Sequence, residues 1–175
     1  MMWRLMVGNG LLLGGIAAMC AIGTDYDASR LIAVSAPQAA ALARLEAEVA
    51  ACPTAHLVID LASAYLETNQ PGLASAVIEG APREVRAQPE VAQTYARTLY
   101  GRALPRQALA VARDARDVCA DDAACPTWVL AKATRQVAFL SEIVAAGIDD
   151  PSENPEATMA AYTRSSHEVR LVAMR

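Results

Sequence analysis

The chain has 175 residues, 54% hydrophobic but only 5% aromatic, and a formal net charge of −4. That length suits one domain or a short array, and an alanine-rich, strand-poor composition favours closely packed helices. The negative balance supplies no basic footprint for nucleic acid, so no nucleic-acid partner is expected.

The first element is an apolar segment. Arg4 precedes an uncharged run, residues 5–22, whose one polar member is Asn9; Asp25 and Asp27 follow it. Positive charge before an apolar run reads as a secretory signal, and the run is also long enough to span a bilayer. Residues 1–23 are therefore a signal peptide or a membrane anchor, and both place the bulk of the chain outside the cytoplasm. Ala21 and Gly23 suit signal peptidase. Cys20 leaves a lipoprotein open, although Met19 is bulky where lipid-attachment sites carry a small residue. Residues 24–36 lack helical periodicity and read as a linker.

A helix is expected over residues 37–51, with Pro37 in its first turn and Leu42, Leu45 and Val49 on one face. A second covers residues 55–68. A third runs from Pro71 to Glu79 and stops at Gly80, a glycine suited to a helix end. Residues 82–88 are a connection. Pro89 starts a fourth helix ending near Gly101, and Pro105 a fifth ending near Val118. Pro126 opens a longer helix to about residue 146, followed by Gly147. Residues 149–154 form an acidic turn, and Asn154-Pro155-Glu156 starts the last helix, with cap, proline and an acid at the positive dipole end.

Cys119 and Cys125 bracket a loop-like stretch between two helical patterns, and a disulfide is expected there. Cys52 then has no partner in the exported part and reads first as a buried free thiol, second as an intermolecular partner. Zinc lacks ligands. His56 and His167 are the two histidines, and the cysteine spacing fits no structural zinc pattern. Neither a metal nor a cofactor is expected.

Fold class follows from a period. Pro37, Pro71 and Pro105 are evenly spaced, and each is followed three positions later by alanine, Ala40, Ala74 and Ala108. A spacing of that length marks stacked helical hairpins. Around Ala74, Leu61-Ala62, Tyr65, Ile78 and Ala81 form a large–small pattern; one period on stand Tyr95-Ala96, Leu99, Ala112 and Ala115. This pattern resembles the tetratricopeptide repeat over residues 55–120. It departs from that family at Val58 and Ala92, where a tryptophan is usual, and at Ala112, where a bulky residue is usual. The resemblance implies an all-α fold, a short hairpin solenoid over residues 37–148 with two full repeats and an N-terminal half-repeat. Residues 149–175 would add an acidic turn and a capping helix.

The familiar catalytic motifs are missing from the sequence: no nucleophile elbow, phosphate loop, His-Glu-x-x-His or dinucleotide fingerprint occurs, so an enzyme is not expected. His56 and His167 read as solvated. The family resemblance instead implies a groove lined by the first helices of successive repeats. Its positions would be Ile59, Ser63, Leu66, Glu67, Gln93, Arg97, Tyr100, Trp128, Lys132 and Arg135. Arg97, Lys132 and Arg135 beside Tyr100 and Trp128 would suit an acidic segment or a C-terminal carboxylate. The alternative places Trp128 in the core and leaves the basic residues solvated. Functionally the chain reads as an exported or tethered scaffold for another envelope protein. A structural subunit held by its N-terminal helix, and a small-molecule-binding helical domain, are the competing readings.

Overall fold

The structure, a computed structural model, describes residues 35–173, with side chains over residues 35–166. The segment read as a signal or anchor, Cys20, the linker up to residue 34 and the side chain of His167 lie outside the described residues. Among the described residues there are eight helices and no strand: α1 (Ala36–Ala51), α2 (Ala55–Glu67), α3 (Pro71–Gly80), α4 (Arg83–Arg86), α5 (Pro89–Gly101), α6 (Pro105–Asp121), α7 (Thr127–Ala145) and α8 (Pro155–Ala173).

The helix starts have local causes. Gln38 Oε1 accepts from the Ser35 backbone N–H at 3.0 Å ahead of α1, and Thr54 Oγ1 accepts from Leu57 N–H at 3.4 Å ahead of α2. Pro71, Pro89 and Pro105 occupy the first position of α3, α5 and α6, where a missing N–H leaves no bond unmade. Pro126 caps α7.

The helix ends repeat. After α2, Gln70 N–H donates to Tyr65 O at 2.8 Å and Asn69 N–H to Leu66 O at 3.1 Å. After α5, Leu104 N–H donates to Leu99 O at 3.0 Å and Ala103 N–H to Tyr100 O at 3.1 Å. After α7, Ile148 N–H donates to Ile143 O and Gly147 N–H to Val144 O, both at 3.1 Å. All three are Schellman turns, whose pivot must be left-handed: φ is 56° at Asn69, 58° at Ala103 and 67° at Gly147. The first two pivots are separated by the same interval as the prolines.

Ala103 occupies that region with a Cβ, at a cost of about 1–2 kcal/mol, whereas glycine there loses only unfolded-state entropy. Ala103→Gly is therefore expected to stabilise the fold by about 0.5–1 kcal/mol, raising the melting temperature by about 2 °C. A melting temperature that falls would show that this pivot is not left-handed in solution.

Helices pair as hairpins, α2 with α3, α5 with α6 and α7 with α8. α1 lies on α2, α5 packs against both α2 and α3, and α7 packs on α6. Fully buried alanines mark the closest approaches: Ala62 and Ala74 in one hairpin, Ala96 and Ala108 in the next. Leu61, Tyr65, Ile78 and Val91 fill one core cluster; Leu99, Leu109, Val137 and Leu140 fill the next. The terminal hairpin closes on Ile143, Ile148 and Ala161.

Four expectations change. Gly80 is not a helix-ending glycine: it carries no positive φ, and α3 stops at Ala81, held extended at φ −71°, ψ 153°. Pro82 is the cause, because its ring disfavours helical geometry in the residue before it. The 82–88 connection contains α4. α6 runs on to Asp121, so Cys119 is a buried helical residue and the bridge ties a helix to a loop; its Cα–Cα distance to Cys125 is 5.3 Å. Cys52 is exposed rather than buried, because it caps α1 in a turn facing solvent, its N–H on Glu48 O at 3.0 Å.

Candidate functional site

The residues assigned to a groove do not all share one surface. Arg97, Lys132 and Arg135 are exposed, as is Glu67, and Ser63 is half-buried. Trp128 is 61% exposed, so it is not a core residue. Gln93 is only 1% exposed and leaves the groove set. Its Nε2 donates to Val129 O at 3.2 Å, and Gln136 Nε2 donates to Gln93 O at 3.0 Å, so it is a peg between α5 and α7. Its Oε1 has no partner among the described residues.

Tyr100 also turns inward. Its ring meets Phe139 edge-on at 5.4 Å, and Phe139 meets Tyr162 at 6.1 Å, so an aromatic series joins α5, α7 and α8. Burial, ahead of the charge of Asp150, raises the Tyr100 phenol above its ordinary pKa, against a lowering bond with Thr158. Together the Gln93 and Tyr100 contacts run α5 alongside α7 in the same sense. What remains at the surface is Glu67 on α2, with half-buried Ser63 one turn before it, Arg97 on α5, and Trp128, Lys132 and Arg135 on α7.

A second constellation escaped the sequence reading. On the other side of α5, Glu79 Oε1 accepts from Ser75 Oγ and from Tyr95 OH, each at 2.8 Å. Arg102 Nη1 donates to Ser75 Oγ at 3.0 Å and lies 3.9 Å from the carboxylate. The Ser75 hydroxyl, then the Tyr95 hydroxyl, then the charges of Arg102 and Arg86 hold Glu79 below the usual carboxylate range. Tyr95 is raised, by burial first and by Glu79 second. Through these bonds Glu79 ties α3 to α5. Tyr65 makes a comparable tie, donating to Glu46 of α1, and burial followed by that carboxylate pushes its phenol up to about 12.

Next to the Glu79 cluster is a cleft of about 390 Å³ between α3, α4, α5 and α6, with Ile78, Val111 and Val118 as apolar lining and Arg86 and Asp114 among its polar lining. A cleft of about 410 Å³ occupies the equivalent place one hairpin earlier. Pro53, Leu61, Val77 and Gly80 line the earlier one, and Ala87, Tyr95, Val111 and Asp114, each one period further along the chain, line the later one. The signal lay in the departures from the period. Leu61 becomes Tyr95 and Gly80 becomes Asp114, so the later cleft gains two polar groups at positions that are apolar in its twin, where Glu46 is the charged lining residue.

His56 is exposed on α2 with Nε2 at 3.2 Å from Asp60, an ordinary pair one turn apart. Among the described residues no group of three or more His, Cys, Asp or Glu side chains could hold a metal ion, and no helix is long and apolar enough to cross a membrane. No protein-family model matches the chain, and neither the curated proteins nor the solved structures yield a match.

Proposed function

We propose that the chain is a short tetratricopeptide-like scaffold, exported or tethered in a bacterial cell envelope, that holds another protein. One observation carries the reading: the Schellman turns at Asn69 and Ala103, the alanine pairs and the two clefts all recur at the interval of the prolines. Recurrence at several independent features belongs to stacked repeats, and stacked repeats present extended surfaces to partners. The Cys119–Cys125 bridge is compatible with an oxidising compartment.

The partner surface in this reading is the strip of Arg97, Lys132, Arg135 and Trp128; Gln93 and Tyr100 are removed from the expected groove, and half-buried Ser63 and the acidic Glu67, both on α2, lie outside the cationic part of it. Exposed cations beside an exposed indole suit an acidic segment or a free C-terminal carboxylate. The test is co-purification of the tagged full chain from an envelope fraction, followed by binding measurements on the partner recovered. The double change Arg97→Glu, Arg135→Glu is expected to weaken that binding at least about tenfold, with an unchanged melting temperature. Undiminished binding by a folded double variant would remove this strip from consideration.

A further inference from the structure

We infer that the Cys119–Cys125 bridge is a redox-sensitive latch on the entry of α7, and that its opening frees the Trp128 indole. The entry has little local fastening. Pro126, the residue before α7, offers no side-chain acceptor as a cap, and the first turn carries no acidic residue. Val129 N–H and Leu130 N–H both reach Pro126 O, at 2.9 and 3.3 Å. The turn is otherwise held from its two ends. Behind Trp128, Val129 is fully buried and its carbonyl accepts from Gln93 Nε2 of α5. Ahead of it, the bridge ties Cys125 to Cys119, buried in the last stretch of α6. Pro126, Thr127 and Trp128 lie between these two holds, all exposed.

Between the buried residues Ala115 and Val129, Cys119 alone is buried. The loop keeps bonds of its own, Cys125 N–H on Asp122 O and Ala124 N–H on Asp122 Oδ1, each at 2.9 Å, but these do not extend to α7. With the bridge open, the chain from Cys119 to Val129 therefore runs without an anchor, and the turn bearing Trp128 frays from its free end.

Opening is an exchange with a dithiol. Cys125 is half-buried and Cys119 buried, so the incoming thiolate attacks Cys125 Sγ. The Cys119–Cys125 bond breaks, a mixed disulfide forms on Cys125, and Cys119 leaves as a thiolate that takes up a proton. The second thiol of the reductant then attacks its own sulfur partner, releasing Cys125 as a thiol and the reductant as a cyclic disulfide. The protein gains two electrons and two protons.

For the strip of Arg97, Lys132, Arg135 and Trp128 the consequence rests on the proposed function. If the ordered entry is populated about a third of the time, the reduced chain holds its partner about threefold more weakly. The latch itself is read without a partner, so an idle strip leaves it standing and an idle latch leaves the strip standing.

The first N–H groups of a helix have no intrahelical acceptor, so amide exchange says little about this turn and the indole is the better probe. The test uses the full chain in a non-ionic detergent with Trp3→Phe, Cys20→Ser and Cys52→Ser, which leaves one indole, Trp128, and one cysteine pair. Fluorescence anisotropy decay is recorded well below the melting temperature before and after excess dithiothreitol, with circular dichroism alongside. Reduction should add a nanosecond component of local indole motion, reoxidation should remove it, and the bulk of the helicity should persist. Cys119→Ala combined with Cys125→Ser should show that component with or without reductant. Three results overturn the latch: an indole that decays alike in both redox states, one that loosens only with a general loss of helicity, or a double variant that behaves like the bridged protein.

Discussion

Ile143→Ala is expected to destabilise the protein by about 3 kcal/mol, within the roughly 2–5 kcal/mol span of such truncations in a packed core. Ile143 is fully buried and packs with Ile148 and Ala161, with Tyr100 and Phe139 against the same cluster. It therefore joins α7 to the turn after it, to α8 and to α5. The cavity would open where four segments meet, and none can close it without giving up another contact. In a chain of this size the melting temperature should fall by about 6–12 °C, and Ile143→Val should cost only about 1 kcal/mol. Circular dichroism melts of the two variants give the comparison. Equal, small shifts would mean that α8 is not docked on α7 as described.

That joint was partly visible in the sequence. Gly147 after an apolar helical run announces a left-handed pivot, and the pivot is there. Asn154-Pro155-Glu156 announces the start of α8, and α8 starts at Pro155. The proline-led starts of α3, α5 and α6 were equally legible, since proline fixes φ and removes a donor whatever surrounds it. Local chemistry carries these assignments because local geometry settles them.

What could not be read depends on neighbours. Gln93 and Arg97 are one turn apart on α5, yet one is buried under α7 and the other is exposed. Helical period gives a face; it does not say how far along the helix a partner covers it. Tyr100 was assigned to a groove for the same reason, and the aromatic series through Phe139 takes it inward. Gly80 misled differently. A glycine near a helix end suggests a pivot, but the proline two positions later already ends the helix through Ala81. The two clefts were legible only after the fact. They require knowing that α3 faces α1 on one side and α6 on the other, which the period alone does not provide.

The Cys119–Cys125 bridge was legible, and its removal is the other large effect expected. The two cysteines are six positions apart, and closing so short a loop is worth about 2 kcal/mol in the chain-entropy account. Cys119 is buried in the last stretch of α6, so Cys119→Ala combined with Cys125→Ser avoids placing an unpaired hydroxyl in the core. Exposed Cys52 can attack a bridge once thiols are free, so the comparison belongs in a Cys52→Ser background. In that background the bridged protein should melt about 4–8 °C above the double variant. A reductant should lower the melting temperature of the first and leave the second unmoved. Hydrogen exchange should place the loss first in the end of α6, where the bridge holds Cys119 to Cys125 near the far end of the loop, and next in Val118, which lines the cleft. A bridged protein indifferent to reductant would mean that the loop is pinned without the bond. If the shift is found, the fold is at its most stable only where thiols are kept oxidised. An oxidising compartment meets that condition, and the bridge is compatible with one.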